Sequence, residues 1–179
     1  MLRHVFGAVA LFALLSGCSS DTPSNDVSMI RIDKGQSLTL TTSHQEKLSF
    51  LIKDRSIVLE GSSQPLLVVF FTTWCSSCLA ELPQLATLHN QAGQDIKIVG
   101  VLLEPNKQTS EVQAFVTQHA IPYSVTVGPA NMDLTRVVGG IRSIPQMFLF
   151  DAKGELAIHY PGPATAQMII SDIQKLKGK

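Results

Sequence analysis

The sequence predicts an α/β fold: a central mixed β-sheet with helices on both faces and an N-terminal β extension. Three observations predict it. From Gln64 onward, apolar runs alternate with amphipathic segments in the order β, α, β, α, β, α, β, β, α, a pattern that builds a sheet covered by helices. Between residues 29 and 61, short runs of alternating polarity succeed one another without a helical period, as antiparallel strands do. A chain of 179 residues, 45% hydrophobic and 16% charged, buries one sizeable core and is short for two. Its 14 bases and 14 acids cancel, and no basic run is longer than a pair, so nothing marks a surface for nucleic acid.

The first residues stand apart from that domain. Arg3 and His4 make a thin positive start, and Val5 to Leu15 is an apolar stretch of eleven residues, too short to span a bilayer. It ends in LSGC, Leu15 to Cys18, which resembles the lipobox of bacterial lipoproteins. The resemblance implies cleavage before Cys18, lipidation of its sulfur and acylation of its new amine; an ordinary secretory signal with a chance cysteine is the alternative. Residues 1–17 are then a signal peptide, 18–28 a lipidated cysteine with a polar tether, and 29–179 the domain. Losing residues 1–17 removes Arg3 and leaves 13 bases against 14 acids, so attachment to the bilayer must come from acyl chains, at about 0.8 kcal/mol per buried methylene.

Within the domain, MIRI, SLTL, KLSFLI and SIVLE are the strands of the β extension, residues 29–63. LLVVFFT (66–72) is apolar throughout, as a strand covered on both faces is. A helix follows over about 76–91, with an apolar stripe of Leu79, Leu82, Leu85, Ala86 and Leu88, and with Pro83 predicting a kink near 79–82. IKIVGVLL (96–103) is the next buried strand. Ser110 and Gln113 form an expected capping box for a helix through His119. YSVTV (123–127) is a short strand, and NMDLTRVV (131–138) a short helix stopped by Gly139 and Gly140. MFLFD and LAIHY form a hairpin around AKG, and residues 164–177 a basic-ended amphipathic helix.

The stretch FFTTWCSSC sets Cys75 and Cys78 three residues apart where a buried strand gives way to a helix. With Cys18 lipidated, no other thiol is left to pair with either, so counting excludes a structural disulfide framework and a complete four-cysteine zinc site. A helix N-terminus favours an anion, and a thiolate is one. Cys75 is therefore the expected nucleophile and Cys78 the resolving thiol. Half of a metal site shared with a partner, or a passive local disulfide, are the alternatives.

WCSSC at Trp74 to Cys78, ELP at Glu81 to Pro83, and SIPQMFLFDAKGEL at Ser143 to Leu156 together resemble the thioredoxin fold, and within it the extracytoplasmic TlpA/ResA-like and cytochrome c maturation proteins. The likeness covers roughly Gln64 to Lys177. It implies a membrane-anchored thiol-disulfide oxidoreductase of the cell envelope, needing no cofactor beyond a redox-active Cys75–Cys78 disulfide. Its partners would be protein disulfides, those of apocytochrome c among them, a membrane thiol-electron carrier as reductant, and the bilayer through Cys18. Glu81, within a turn of Cys78, would take its proton, the more so because Val69 stands where cytoplasmic thioredoxins carry a buried acid. Pro145 would be cis and face the cysteines, with Ile144 offering backbone groups to a substrate segment and Trp74 contacting substrate.

Other readings stay open beside these. Glu81 reads also as a solvated helix residue, Pro145 as a trans proline at a strand start, and Trp74 as a core aromatic. Glu104 lines the same face or simply solvates its loop. A disulfide-introducing oxidase and a dithiol copper-delivery module are the competing functions. The scattered His44, His89, His119 and His159 offer no helical ligand pair, and neither GxGxxG nor a P-loop occurs, so no metal and no nucleotide is expected.

Overall fold

A computed structural model describes residues 35–178; the expected signal peptide, Cys18, the tether and the MIRI run lie outside them. The chain runs β1 (Gln36–Thr42), β2 (Lys47–Lys53), β3 (Ser56–Leu59), β4 (Leu66–Phe71), α1 (Ser76–Ala92), β5 (Lys97–Leu102), α2 (Thr109–Gln118), β6 (Ser124–Val127), α3 (Asn131–Val137), β7 (Gln146–Phe150), β8 (Leu156–Tyr160) and α4 (Ala166–Lys177). One eight-stranded sheet has the order β3-β2-β1-β6-β5-β4-β7-β8. β4, β5 and β6 are parallel neighbours and every other pairing is antiparallel, which is the mixed sheet the sequence predicts.

Right-handed crossovers between successive parallel strands put α1 and α2 on one face. Their apolar sides, with α4, bury Leu82, Leu85, Leu88, Val112, Val116, Ile169 and Ile173 against Leu67, Val69, Phe71, Met147 and Leu149. The period of two in the strands sends Val68, Phe70, Phe148 and Phe150 to the other face, where α3 supplies Leu134 and the β extension supplies Leu40, Phe50, Ile52 and Ile57. The extension thus does the work of a second covering helix. The sheet coils far enough for its two ends to meet: Ile57 N–H in β3 donates to the carbonyl of Gly154 in the β7–β8 turn, at 2.8 Å.

Two local expectations change. α2 starts one residue before Ser110, and Gln108 caps it: Glu111 Oε2 accepts from Gln108 N at 3.0 Å. Gln113 is no part of a capping box and instead donates from Nε2 to the Ser43 carbonyl at 2.6 Å, tying α2 to the end of β1. In α1, Glu81 lies on the buried stripe, whereas Leu79 and Ala86 are only partly covered. α1 continues unbroken through Pro83. After α3, Gly139 and Gly140 both take positive φ, +89° and +90°, as a stop at that point requires.

Candidate active site

Phe71 ends β4, and four residues, Thr72 to Cys75, turn the chain from the sheet into α1. Glu104, just beyond β5, holds that turn. Its Oε1 accepts from the Thr73 amide at 2.6 Å and from the Thr73 hydroxyl at 2.8 Å, while Oε2 takes Lys107 Nζ at 3.0 Å. Burial pushes the Glu104 carboxyl up, but the Thr73 amide and hydroxyl bonds and the Lys107 ammonium outweigh it and bring the group below its ordinary value. The sequence offered Glu104 as a loop residue or a lining one; it is a clamp on the segment leading to the cysteines.

Cys75 follows as the N-cap of α1, and its sulfur takes the place a serine or aspartate oxygen usually fills, accepting the Cys78 amide at 3.2 Å. Cys75 and Cys78 form a disulfide across the first turn, with their Cα atoms 5.2 Å apart. Cys75 is 7% exposed and Cys78 2%, so a partner's thiol reaches Cys75 first. Ser77 Oγ lies 3.2 Å from Cys75 Sγ, a contact that no spacing argument in the sequence announces.

The loop before β7 completes the site. The Ile144–Pro145 bond is cis, and the Ile144 carbonyl oxygen is 3.9 Å from Cys75 Sγ. Ile144 is half-buried against the same core cluster as both cysteines. Trp74 is 72% exposed, so it is not the core aromatic that was the alternative; its ring is open to whatever approaches Cys75.

Glu81 is 3% exposed, which rules out the solvated helix reading. Its Oε1 accepts from the Ala164 amide at 3.1 Å, just before the N-cap of α4, while Gln84 on the same helix accepts from the Ala166 amide at 3.1 Å, so α1 receives one amide from the lead-in to α4 and one from its first residue. Burial raises the Glu81 carboxyl above its ordinary value, and the Ala164 bond only partly opposes this. Buried Tyr123 is raised too, by burial first and then by the Glu81 charge. Glu81 therefore lies on the buried side of the cysteines' own helix and is anchored at Ala164, a different segment from the Ile144 loop that Cys75 faces. The structure brings the Cys75–Cys78 pair beside Ile144, whose bond to Pro145 is cis; Cys18 lies outside the described residues. Among the described residues no three His, Cys, Asp or Glu side chains group as a metal site.

A helix-capping disulfide beside an extended backbone segment can exchange thiols: one sulfur accessible, its anion favoured by amide dipoles, the second held one turn away. Comparison with known proteins agrees with that chemistry. The Redoxin family model matches residues 55–176. The sporulation thiol-disulfide oxidoreductase A of Bacillus subtilis is 27% identical over 120 residues, covering 66% of this chain and 72% of that one. The thiol-disulfide oxidoreductase ResA of Halalkalibacterium halodurans is 24% identical over 148 residues, covering 78% and 80%. The crystal structure of StoA from Bacillus subtilis shares the fold with a TM-score of 0.62 at 24% identity, over 78% of this chain and 97% of that one.

Proposed function

From the premise that this chain belongs to the Redoxin family and is a ResA-like thiol-disulfide oxidoreductase, we propose that it is a lipid-anchored reductase of protein disulfides on the outer side of a bacterial membrane. The observation that carries the proposal is Cys75 Sγ at the N-cap of α1, receiving the Cys78 amide. In the reduced enzyme that position favours a Cys75 thiolate. The thiolate attacks a substrate disulfide, forms a mixed disulfide and expels one substrate thiolate. Cys78 then attacks Cys75 Sγ, closes the Cys75–Cys78 disulfide and releases the second substrate thiolate, so two electrons pass to the substrate.

Glu81 takes the Cys78 proton during the second attack: its raised carboxyl makes it a better base near neutral pH than an ordinary glutamate. Ile144 and Trp74 receive the substrate segment, which lies along the Ile144 backbone with the exposed indole against it. Apocytochrome c is the client the family resemblance favours, and a membrane dithiol carrier returns the electrons. Cys18 holds the domain to the bilayer, with residues 18–28 as its tether and residues 29–179 as the working domain. The pair itself carries the electrons, with no other cofactor.

Single cysteine variants test the roles. Cys78→Ser should accumulate mixed disulfides with client proteins on non-reducing gels, and Cys75→Ser should form none; equal behaviour of the two would refute the assignment. Cys18→Ser should leave the membrane fraction, and a variant that stays bound would refute the lipid anchor. A reduction potential measured against glutathione tests direction, since a value as high as that of a strong oxidant would reverse it.

A further inference from the structure

Resting on the reading of Cys75 as nucleophile, we infer that Ser77 is a further catalytic residue, whose hydroxyl hydrogen-bonds the Cys75 thiolate and thereby sets how oxidising the pair is. Ser77 Oγ is 3.2 Å from Cys75 Sγ. Neither a disulfide sulfur nor a thiolate carries a proton, so in both redox states the hydroxyl is the donor and the sulfur the acceptor. Ser76, exposed at the first helical position, has no such contact with Cys75 among the described residues. The two serines of CSSC, alike in sequence, are therefore unlike in chemistry.

The bond changes strength with oxidation state. A disulfide sulfur is a weak acceptor; a thiolate is an anion, and hydrogen bonds to ions are roughly twice as strong as neutral ones. The Ser77 hydroxyl thus stabilises the reduced enzyme more than the oxidised one. It adds to the Cys78 amide, which points at the same sulfur from the backbone. It also assists re-reduction: when a reductant dithiol bonded to Cys75 closes on itself, the S–S bond to Cys75 breaks and Cys75 departs as a thiolate, into a waiting donor. The ionisable groups around the helix start are buried Glu81 on α1, Tyr123 in the core cluster and Glu104 with Lys107 at Thr73, and none of their contacts is made through Ser77.

The full chain in glutathione buffers provides the test, comparing wild type, Ser77→Ala, Ser77→Thr and Ser76→Ala by redox equilibrium and by the ultraviolet absorbance of the thiolate. Loss of about one ordinary hydrogen bond should shift the Ser77→Ala equilibrium about fivefold toward disulfide, which is about 20 mV, and raise the Cys75 titration midpoint. Ser77→Thr, which keeps the hydroxyl, should return most of the shift, and Ser76→Ala should track the wild type. Alanine is favourable at an exposed helical position, so Ser77→Ala remains folded. A Ser77→Ala variant indistinguishable from wild type, or a Ser76→Ala shift as large, would overturn the inference while leaving the parent reading standing. A wild-type chain that does not exchange with glutathione at all would overturn both.

Discussion

Removing the Glu104 carboxylate should loosen the segment that delivers Cys75. In Glu104→Ala the half-buried Thr73 amide loses its acceptor at 2.6 Å and the Thr73 hydroxyl its partner at 2.8 Å. An unpaired buried donor costs about 1–3 kcal/mol. The Lys107 pair adds at most about 1 kcal/mol, because the Lys107 side chain is 24% exposed and the pair is partly screened. Together these come to about 2–3 kcal/mol, or a fall of roughly 4–12 °C in melting temperature for a chain of this size. Glu104→Gln keeps an oxygen for Thr73 and should cost only about 1 kcal/mol. The clamp is also pH-dependent. Because the folded carboxyl lies below its ordinary value of 4.5, its contribution is full above that value and is lost as pH falls through the lower folded one. Urea unfolding of the oxidised protein between neutral and acid pH is the assay. An alanine variant within a few tenths of a kcal/mol of wild type, or one whose loss is the same at acid pH, would refute the reasoning.

Glu81 has the opposite sign. Its raised carboxyl favours the protonated folded state, so stability declines as pH rises from about the ordinary value through the folded one. Glu81→Gln should flatten that decline in urea titrations and also slow thiol exchange near neutral pH; an unchanged rate profile would return Glu81 to a structural role. At Gly154, φ is +85° and an added Cβ would lie 2.5 Å from Val58 Cγ2 and 2.9 Å from the Ile57 carbonyl. Gly154→Ala should therefore destabilise by roughly 2–3 kcal/mol, against about 1 kcal/mol at Gly140, where φ is +90° but nothing lies within 4 Å; equal losses in parallel denaturant curves would sink that account. Ala120 closes α2 at φ +47°, so Ala120→Gly should gain about 0.5–1 kcal/mol, and a lowered denaturation midpoint would contradict it.

Local pattern alone determined the helix and strand order, the antiparallel extension and the place of the cysteines at a helix start. Strand alternation and the helical period are written in neighbouring residues, and Leu66 to Phe71 or Ile169 with Ile173 read the same in any context. The family likeness added the cis Pro145 and a role for Glu81. Contacts between residues far apart in the chain were not legible. Nothing near Ser110 says that Gln113 serves Ser43, seventy residues away, nor does the Glu104-Pro105 loop advertise a carboxylate bound to Thr73. The two ends of the sheet meet at Ile57 and Gly154 only because accumulated strand twist brings them round, and buried Glu81 finds its partner in the Ala164 amide of the segment leading into α4. Partner choice for a polar side chain depends on what tertiary packing places within about 3 Å, and that distance has no one-dimensional trace. Ser76 and Ser77 condense the difference: identical letters side by side, of which the helix geometry turns only one toward the sulfur.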